Sequence, residues 1–460
     1  MRPSYDLVLR GPRVITCEGG ECEGPAAVAV SDGRIAAIGR VDESWAADEH
    51  VNLGPDEVLL PGLVDSHVHV CEPGNTDWEG FATATSAAAA GGITTIVDMP
   101  LDSSPTTVSV GALDLKRAAA AGQCAVDVAF WGGVVPDNLG TLGDLHRAGV
   151  VGFKCFLVDS GSPEFPPVTT GQLADALREL KPFGSPLLVH AESADAVAAS
   201  GDPAPGRGYA AFLASRPRGI ENLAIAQVIE AARATGGWAH IVHLSSSDAL
   251  PMIESARREG VRVTAETCPH YLALAAEEIP DGATAAKCLP PVREAENRDK
   301  LWAGLAAGIL DCVVSDHSPS TPEMKGVASG DFAAAWGGIS SLQLGLPVAW
   351  TGASERGAPL ATVARWMARK PADLAGLADK GRIAVGAAAD FCVFAPDEYA
   401  TVTAASLRHR HPLTPYEGAR VRGVVRSAWL AGRVVAVSSA RGRLLASRQS
   451  EIPGGAPQCG

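Results

Sequence analysis

Residues 62–70 read GLVDSHVHV. Successive side chains on a strand point to opposite faces, so His67 and His69 project the same way. Two imidazoles side by side in an apolar run either bind something jointly or waste a buried face. Seven further runs of this kind follow: ITTIVDMPL, AVDVAFWGGV, VVGFKCFLV, PLLVHAES, WAHIVHLSS, VRVTAETCPHYL and LDCVVSDHSP. All are rich in Val and Ile and apolar nearly throughout, as expected of parallel strands buried on both faces. Between them lie helix-period segments such as WEGFATATSAAAAG, TGQLADALRELKPFG, ENLAIAQVIEAARATG and ALPMIESARREG. Eight such alternations, starting with the run VLLPGLVDSHVHV that contains residues 62–70, predict an α/β fold with a (β/α)8 TIM-type barrel over residues 58–376.

The ends do not fit that pattern. YDLVLRGPRVIT and PAAVAVSDGRIAAIG near the start, and GRIAVGAAADFCVFAP and VRGVVRSAWLAGRVVAV near the end, read as short strands punctuated by Gly-rich turns. We expect residues 1–57 and 377–445 to form one small β-sandwich domain built from both termini. Residues 446–460 read as a mobile tail.

Bulk composition narrows the function. The 460 residues are 47% hydrophobic and 20% charged, with a formal net charge of −14. No basic footprint exists for a nucleic acid or an anionic membrane. No apolar run approaches the roughly 18 residues of a membrane span, and the start lacks the apolar core of a signal peptide. The ten cysteines form no CxxC pair; most sit in strand-like runs, where a reduced thiol serves as a small hydrophobe. A cytoplasmic, disulfide-free protein acting on a small molecule is the expectation.

In such a barrel the C-terminal strand ends converge at one mouth. The first run ends in His67 and His69, the fourth carries Lys154, the fifth His190, the sixth His243 and the eighth Asp316. Any one of these alone reads as a satisfied core residue. Six at the same end of one barrel point to metal. His240 is a control: three positions before His243, it takes the opposite face and is assigned a structural role. His270 ends the seventh run as a weaker candidate. His317 points away from Asp316 and is placed behind the ligands as a support.

An ammonium beside metal ions would be repelled, so Lys154 must be neutral or altered. Burial depresses a lysine's pKa, and the free amine can add carbon dioxide to give a carbamate that spans two cations. The alternative is an unmodified lysine and one metal held by the histidines alone. With the bridge, two divalent cations keep net positive charge against the carbamate, Asp316 and a hydroxide. Metal coordination lowers the pKa of water from 15.7 to about 7, and Asp316 can move its proton to a leaving nitrogen.

HVH, GFKCF, HAE, HLSS, ETCPHYL, KCLPPVR and SDHSPSTPE together resemble the cyclic amidohydrolases of the amidohydrolase superfamily. The group comprises dihydropyrimidinases or hydantoinases, dihydroorotases and allantoinases, and the similarity spans about residues 5–435. EPGNTDWEGFATATSAAAAGGITTIVDMPLDSSPTT and DFAAAWGGISSLQ are most similar to allantoinases, which open the hydantoin ring of allantoin to allantoate. The resemblance implies a metal set of His67, His69, carboxylated Lys154, His190, His243 and Asp316, two divalent metals (often zinc) and a homotetramer. It also implies that Cys288 and Gly338 offer backbone groups to the ring amide. Trp336 reads as a pocket wall or as a core tryptophan. Allantoinases usually carry asparagine at Cys71 and arginine at Asn75, a small residue at Leu289 and cysteine at Ser320. These differences touch the mouth of the site, where the resemblance places Cys71 and Asn75 as substrate-binding residues. They leave another cyclic ureide, opened by a hydantoinase-type enzyme, as the alternative. A metal-free scaffold is the non-enzymatic one, disfavoured because every ligand position is filled.

Overall fold

The computed structural model describes residues 4–18, 23–436 and 440–447. Among these residues, six parallel strands form one sheet in chain order: Gly132–Gly133, Phe153–Phe156, Pro186–His190, Trp238–Ile241, Val263–Thr267 and Cys312–Val313. Leu63–Val68, Ile93–Asp98 and Asp127–Phe130 form a second parallel sheet of three. Trp131 alone separates the two along the chain. Its fully buried indole donates to the Ser66 carbonyl at 2.8 Å, and its N–H donates to the Asp98 carbonyl at 3.0 Å. At the other margin Val68 and His317 form a parallel bridge, and the His69 N–H donates to the His317 carbonyl at 2.8 Å.

Helices alternate with these strands, and the longer ones bury one face. In Thr170–Leu180, Thr169 and Gln172 cap the first turn reciprocally, while Leu173, Ala176, Leu177 and Leu180 are buried. The four helical segments expected from periodicity lie at Phe81–Ala90, Thr170–Leu180, Arg218–Thr235 and Leu250–Arg258.

The run VLLPGLVDSHVHV is two strands, not one. Val58–Pro61 pairs antiparallel with Phe391–Thr401 and parallel with Tyr5–Ile15, so it belongs with the termini. The break falls at Gly62, where a Cβ would run into the Thr94 side chain. The terminal strands, expected as a sandwich, form one hydrogen-bonded sheet that forks. Tyr5–Ile15 is long enough to hold Ala47–Asn52 along its first half and Val58–Pro61 at Val14, both on the same edge. Its apolar side packs Leu7, Leu9, Val28, Ile35, Leu59, Phe391 and Trp429 together.

Lys380 fastens this sheet to the parallel strands. Its buried ammonium donates to Asp127 and Asp390 carboxylates at 2.6 Å each. Residues 440–445, grouped by sequence with the terminal domain, lie instead along the parallel strands: Leu444 bridges Val128, and the Val128 N–H donates to the Arg443 carbonyl. Of the expected tail, Ser447 donates to the Gly149 carbonyl at 3.1 Å; residues 448–460 lie outside the described residues. Among the described residues, the cysteines are free thiols and no helix is long and apolar enough to cross a membrane.

Candidate metal centre

His67, His69, Lys154, His190, His243 and Asp316 line one cavity of about 360 Å³ and are all buried. His67 Nε2 and His69 Nε2 lie 3.1 and 3.5 Å from Asp316 Oδ1. The ring centroids of His67 and His69, and of His67 and His243, are 5.5 Å apart; those of His190 and His243 are 4.6 Å apart. His67 lies in its strand, whereas His243 and Asp316 lie just past theirs with positive φ, 37° and 44°. The position of His243 is therefore set by a turn as well as by strand alternation.

Three of the histidines are oriented by carboxylates. His67 Nδ1 donates to Glu266 Oε1 at 2.5 Å, His69 Nδ1 lies 2.7 Å from Asp102 Oδ2, and His190 Nε2 donates to Glu192 Oε2 at 2.8 Å. This leaves Nε2 of His67 and His69, and Nδ1 of His190, as the remaining ring donors. Such outer partners fix ring orientation and raise ligand basicity. His243 Nδ1 is buried without a hydrogen-bond partner among the described residues, which is costly unless a cation takes its lone pair.

The electrostatics match that donor set except at His69. Burial holds His67, His190 and His243 below the usual imidazole range, the neutral form that ligates metal. Burial also works to lower His69, but Asp102 and Asp316 outweigh it and raise the group to about 9. Burial pushes Asp316 up, yet His67, His69 and His243 hold its carboxyl well below the ordinary range. Burial draws Lys154 down to about 8, against the pull of Asp316 and Glu266. At neutral pH a fraction of Lys154 is then free amine, the form that adds carbon dioxide.

The supporting histidines are also placed. His240 bonds Thr264 and Glu266 rather than the cavity. His317 donates from Nε2 to Glu79 at 3.0 Å and accepts the Ser341 N–H on Nδ1. His270 is buried beside Cys268 and Asp316, with both ring nitrogens unpartnered among the described residues.

Cys288, Leu289, Trp336 and Gly338 line the same cavity. Trp336 packs edge-on against Trp78 at 5.6 Å and is touched by the position of Gly161. Gly338 has φ +135°, and a Cβ there would collide with the Ser318 carbonyl. Its N–H already donates to the Lys287 carbonyl at 2.9 Å, so only its carbonyl, with a second lone pair, remains for a ligand. Cys71 and Asn75 are not among the lining residues. The Cys71 thiol turns to the His69 carbonyl, while the Asn75 amide donates to the Asp102 carbonyl at 2.9 Å and so braces the loop that carries Asp102. Sequence reasoning missed Asp102, Glu192, Arg216 and Glu266. Each lies in or near a run already singled out, or in a helix-flanking loop, and Glu192 and Glu266 carry the same signal as the ligands: a charge at the end of an apolar run.

Residues 58–435 match the profile of the amidohydrolase family. The chain belongs to that family. This amidohydrolase is 54% identical to an allantoinase of Streptomyces avermitilis over 96% of its own length and 98% of that chain. It is 40% identical to an Escherichia coli allantoinase, over 94% and 95% of the two chains. Among solved structures it is similar to the L-hydantoinase (dihydropyrimidinase) from Arthrobacter aurescens, at 31% identity with a TM-score of 0.89, covering 96% of this amidohydrolase and all of that chain.

Proposed function

We propose that the protein hydrolyses the ring amide of allantoin to give allantoate. The convergence of four histidines, Lys154 and Asp316 on one cavity carries this reading, and the similarity to allantoinases supports the choice of ring. The donor set suits divalent cations: His67, His69, His190, His243, Asp316 and Lys154 in its carboxylated form would hold two of them. When bound, such ions polarise a carbonyl and lower the pKa of water to about 7.

The chain's own groups do the rest. Asp316, kept ionised by its histidine neighbours, accepts the proton of the attacking water and returns it to the leaving ring nitrogen. Glu266, Asp102 and Glu192 keep the imidazoles turned toward the centre. Cys288 and the carbonyl of Gly338 hold the planar ring by main-chain groups, and Trp336 closes one side. Cys71, turned to the His69 carbonyl, and Asn75, bonded to the Asp102 carbonyl, act on specificity only through the backbone they hold.

The same reading joins the parallel strands into a closed eight-stranded barrel, with Asp127–Phe130 and Gly132–Gly133 as one interrupted strand and the Val68–His317 bridge as the seam. The domain division becomes a terminal β-domain that includes Val58–Pro61, and a barrel that takes in residues 440–447. Zinc as the metal, a homotetramer and a cytoplasmic location belong to the proposal.

The test is elemental analysis of the purified protein with allantoin, hydantoin, dihydrouracil and dihydroorotate assayed in parallel. Allantoin is expected to be opened fastest, with two metals per chain. Dihydrouracil turned over well above allantoin would move the protein to the hydantoinase type. Lys154→Ala is expected to fold but lose metal and activity; two bound metals and full activity in that variant would remove the carbamate bridge.

A further inference from the structure

Lys325 is almost fully buried, and the groups that bear on its charge are Cys288 and Lys287, neither of them a carboxylate. Its ammonium donates instead to three main-chain carbonyls, those of Lys287 at 2.7 Å, Trp336 at 3.0 Å and Gly338. Burying an ammonium without a counter-charge is expensive, and a methionine of similar length would fill the space at lower cost. The three acceptors come from two segments distant in sequence, and each lies within one residue of the cavity lining.

The peptide units make the connection. The Lys287 carbonyl shares its peptide with the Cys288 N–H, and the Trp336 carbonyl with the Gly337 N–H. A donor at the carbonyl end of an amide polarises it and strengthens the N–H at the other end. The Lys287 carbonyl also accepts the Gly338 N–H, so the two segments are tied to each other as well as to the ammonium.

We propose that Lys325 is the positioning residue of the substrate-binding backbone: its ammonium locks segments 287–288 and 336–338 together and polarises the peptides that hold the ring. It rests on the reading of this cavity as the site of a cyclic amide. Burial draws the Lys325 ammonium down to about 7, the cost in charge of placing it among three carbonyls.

Groups that hold the ring throughout the reaction serve substrate and transition state alike, so their loss appears in KM rather than kcat. The test compares Lys325→Met and Lys325→Gln with the wild type in metal-loaded protein, by steady-state kinetics, metal content and hydrogen exchange. Lys325→Met is expected to raise KM about tenfold with kcat little changed, to keep its metal, and to speed exchange at Cys288 and Gly337. Lys325→Gln, which keeps amide donors, is expected to shift KM less, and it stands alone if the methionine variant fails to fold. Unchanged exchange overturns the clamp, and faster exchange with unchanged KM overturns the role in binding. Joint loss of kcat and metal also overturns it, because Lys325 would then act through the metal centre. A wild type inert toward every cyclic amide removes the functional reading, while exchange at Cys288 still decides whether Lys325 holds the backbone.

Discussion

The cavity has two walls built on opposite electrostatic plans. On one, histidine side chains are held by buried carboxylates: Glu266 behind His67, Asp102 behind His69, Glu192 behind His190. On the other, main-chain segments are held by buried lysines: Lys325 on the carbonyls of 287, 336 and 338, and Lys287 on those of Ala333 and Ala335. The acids prepare a place for cations. The lysines prepare peptide groups for a neutral planar ring. Damage to the first wall should therefore be read in metal and kcat, and damage to the second in KM.

The largest expected effect falls on the first wall. Asp316→Asn keeps the shape of the side chain but cannot take a proton, and kcat should fall by about 10²–10⁴, measured under saturating metal and substrate. A fall confined to KM would erase the distinction between the walls. Glu266→Gln comes next. Both carboxylate oxygens accept from imidazoles, His67 and His240, so an amide nitrogen there meets a donor and turns His67 away. Metal affinity should drop about 10–100-fold in a metal titration, with KM near wild type once the protein is reloaded. The smallest effect belongs to the second wall. Trp336→Leu removes the edge contact with Trp78 and should raise KM about threefold with full metal occupancy. Loss of metal in that variant would mean that the walls are one unit.

The first wall was legible in the sequence because its ligands are misfits: His67, His69, Lys154, His190, His243 and Asp316 interrupt runs whose neighbours are apolar. Glu192 and Glu266 bear the same mark, but with no knowledge of which strand adjoins which, their partners could not be named. The second wall was largely illegible. Lys325 and Lys287 look like surface lysines, since nothing local in SPSTPEMKG or ATAAKCLPP says that they are buried, and a main-chain carbonyl leaves no trace in residue type. Cys71 and Asn75 were drawn to the cavity by the position they occupy in similar sequences, but their side chains satisfy local carbonyls. In the fold, the alternating runs showed the parallel strands, whereas Gly62 hid a change of sheet inside one continuous apolar stretch. Forking could not be foreseen either, because it depends on the length of Tyr5–Ile15 along one edge.

Val58–Pro61 has a consequence for how the chain is made. Its antiparallel partner, Phe391–Thr401, is translated only after the entire run of alternating strands and helices. Until then the nascent polypeptide carries Val58, Leu59 and Leu60, all fully covered in the finished molecule, as an open apolar edge on the ribosome. Pairings of such long sequence separation close slowly and invite wrong partners in the interval. Synthesis that stops short of residue 391 leaves that edge without its cover.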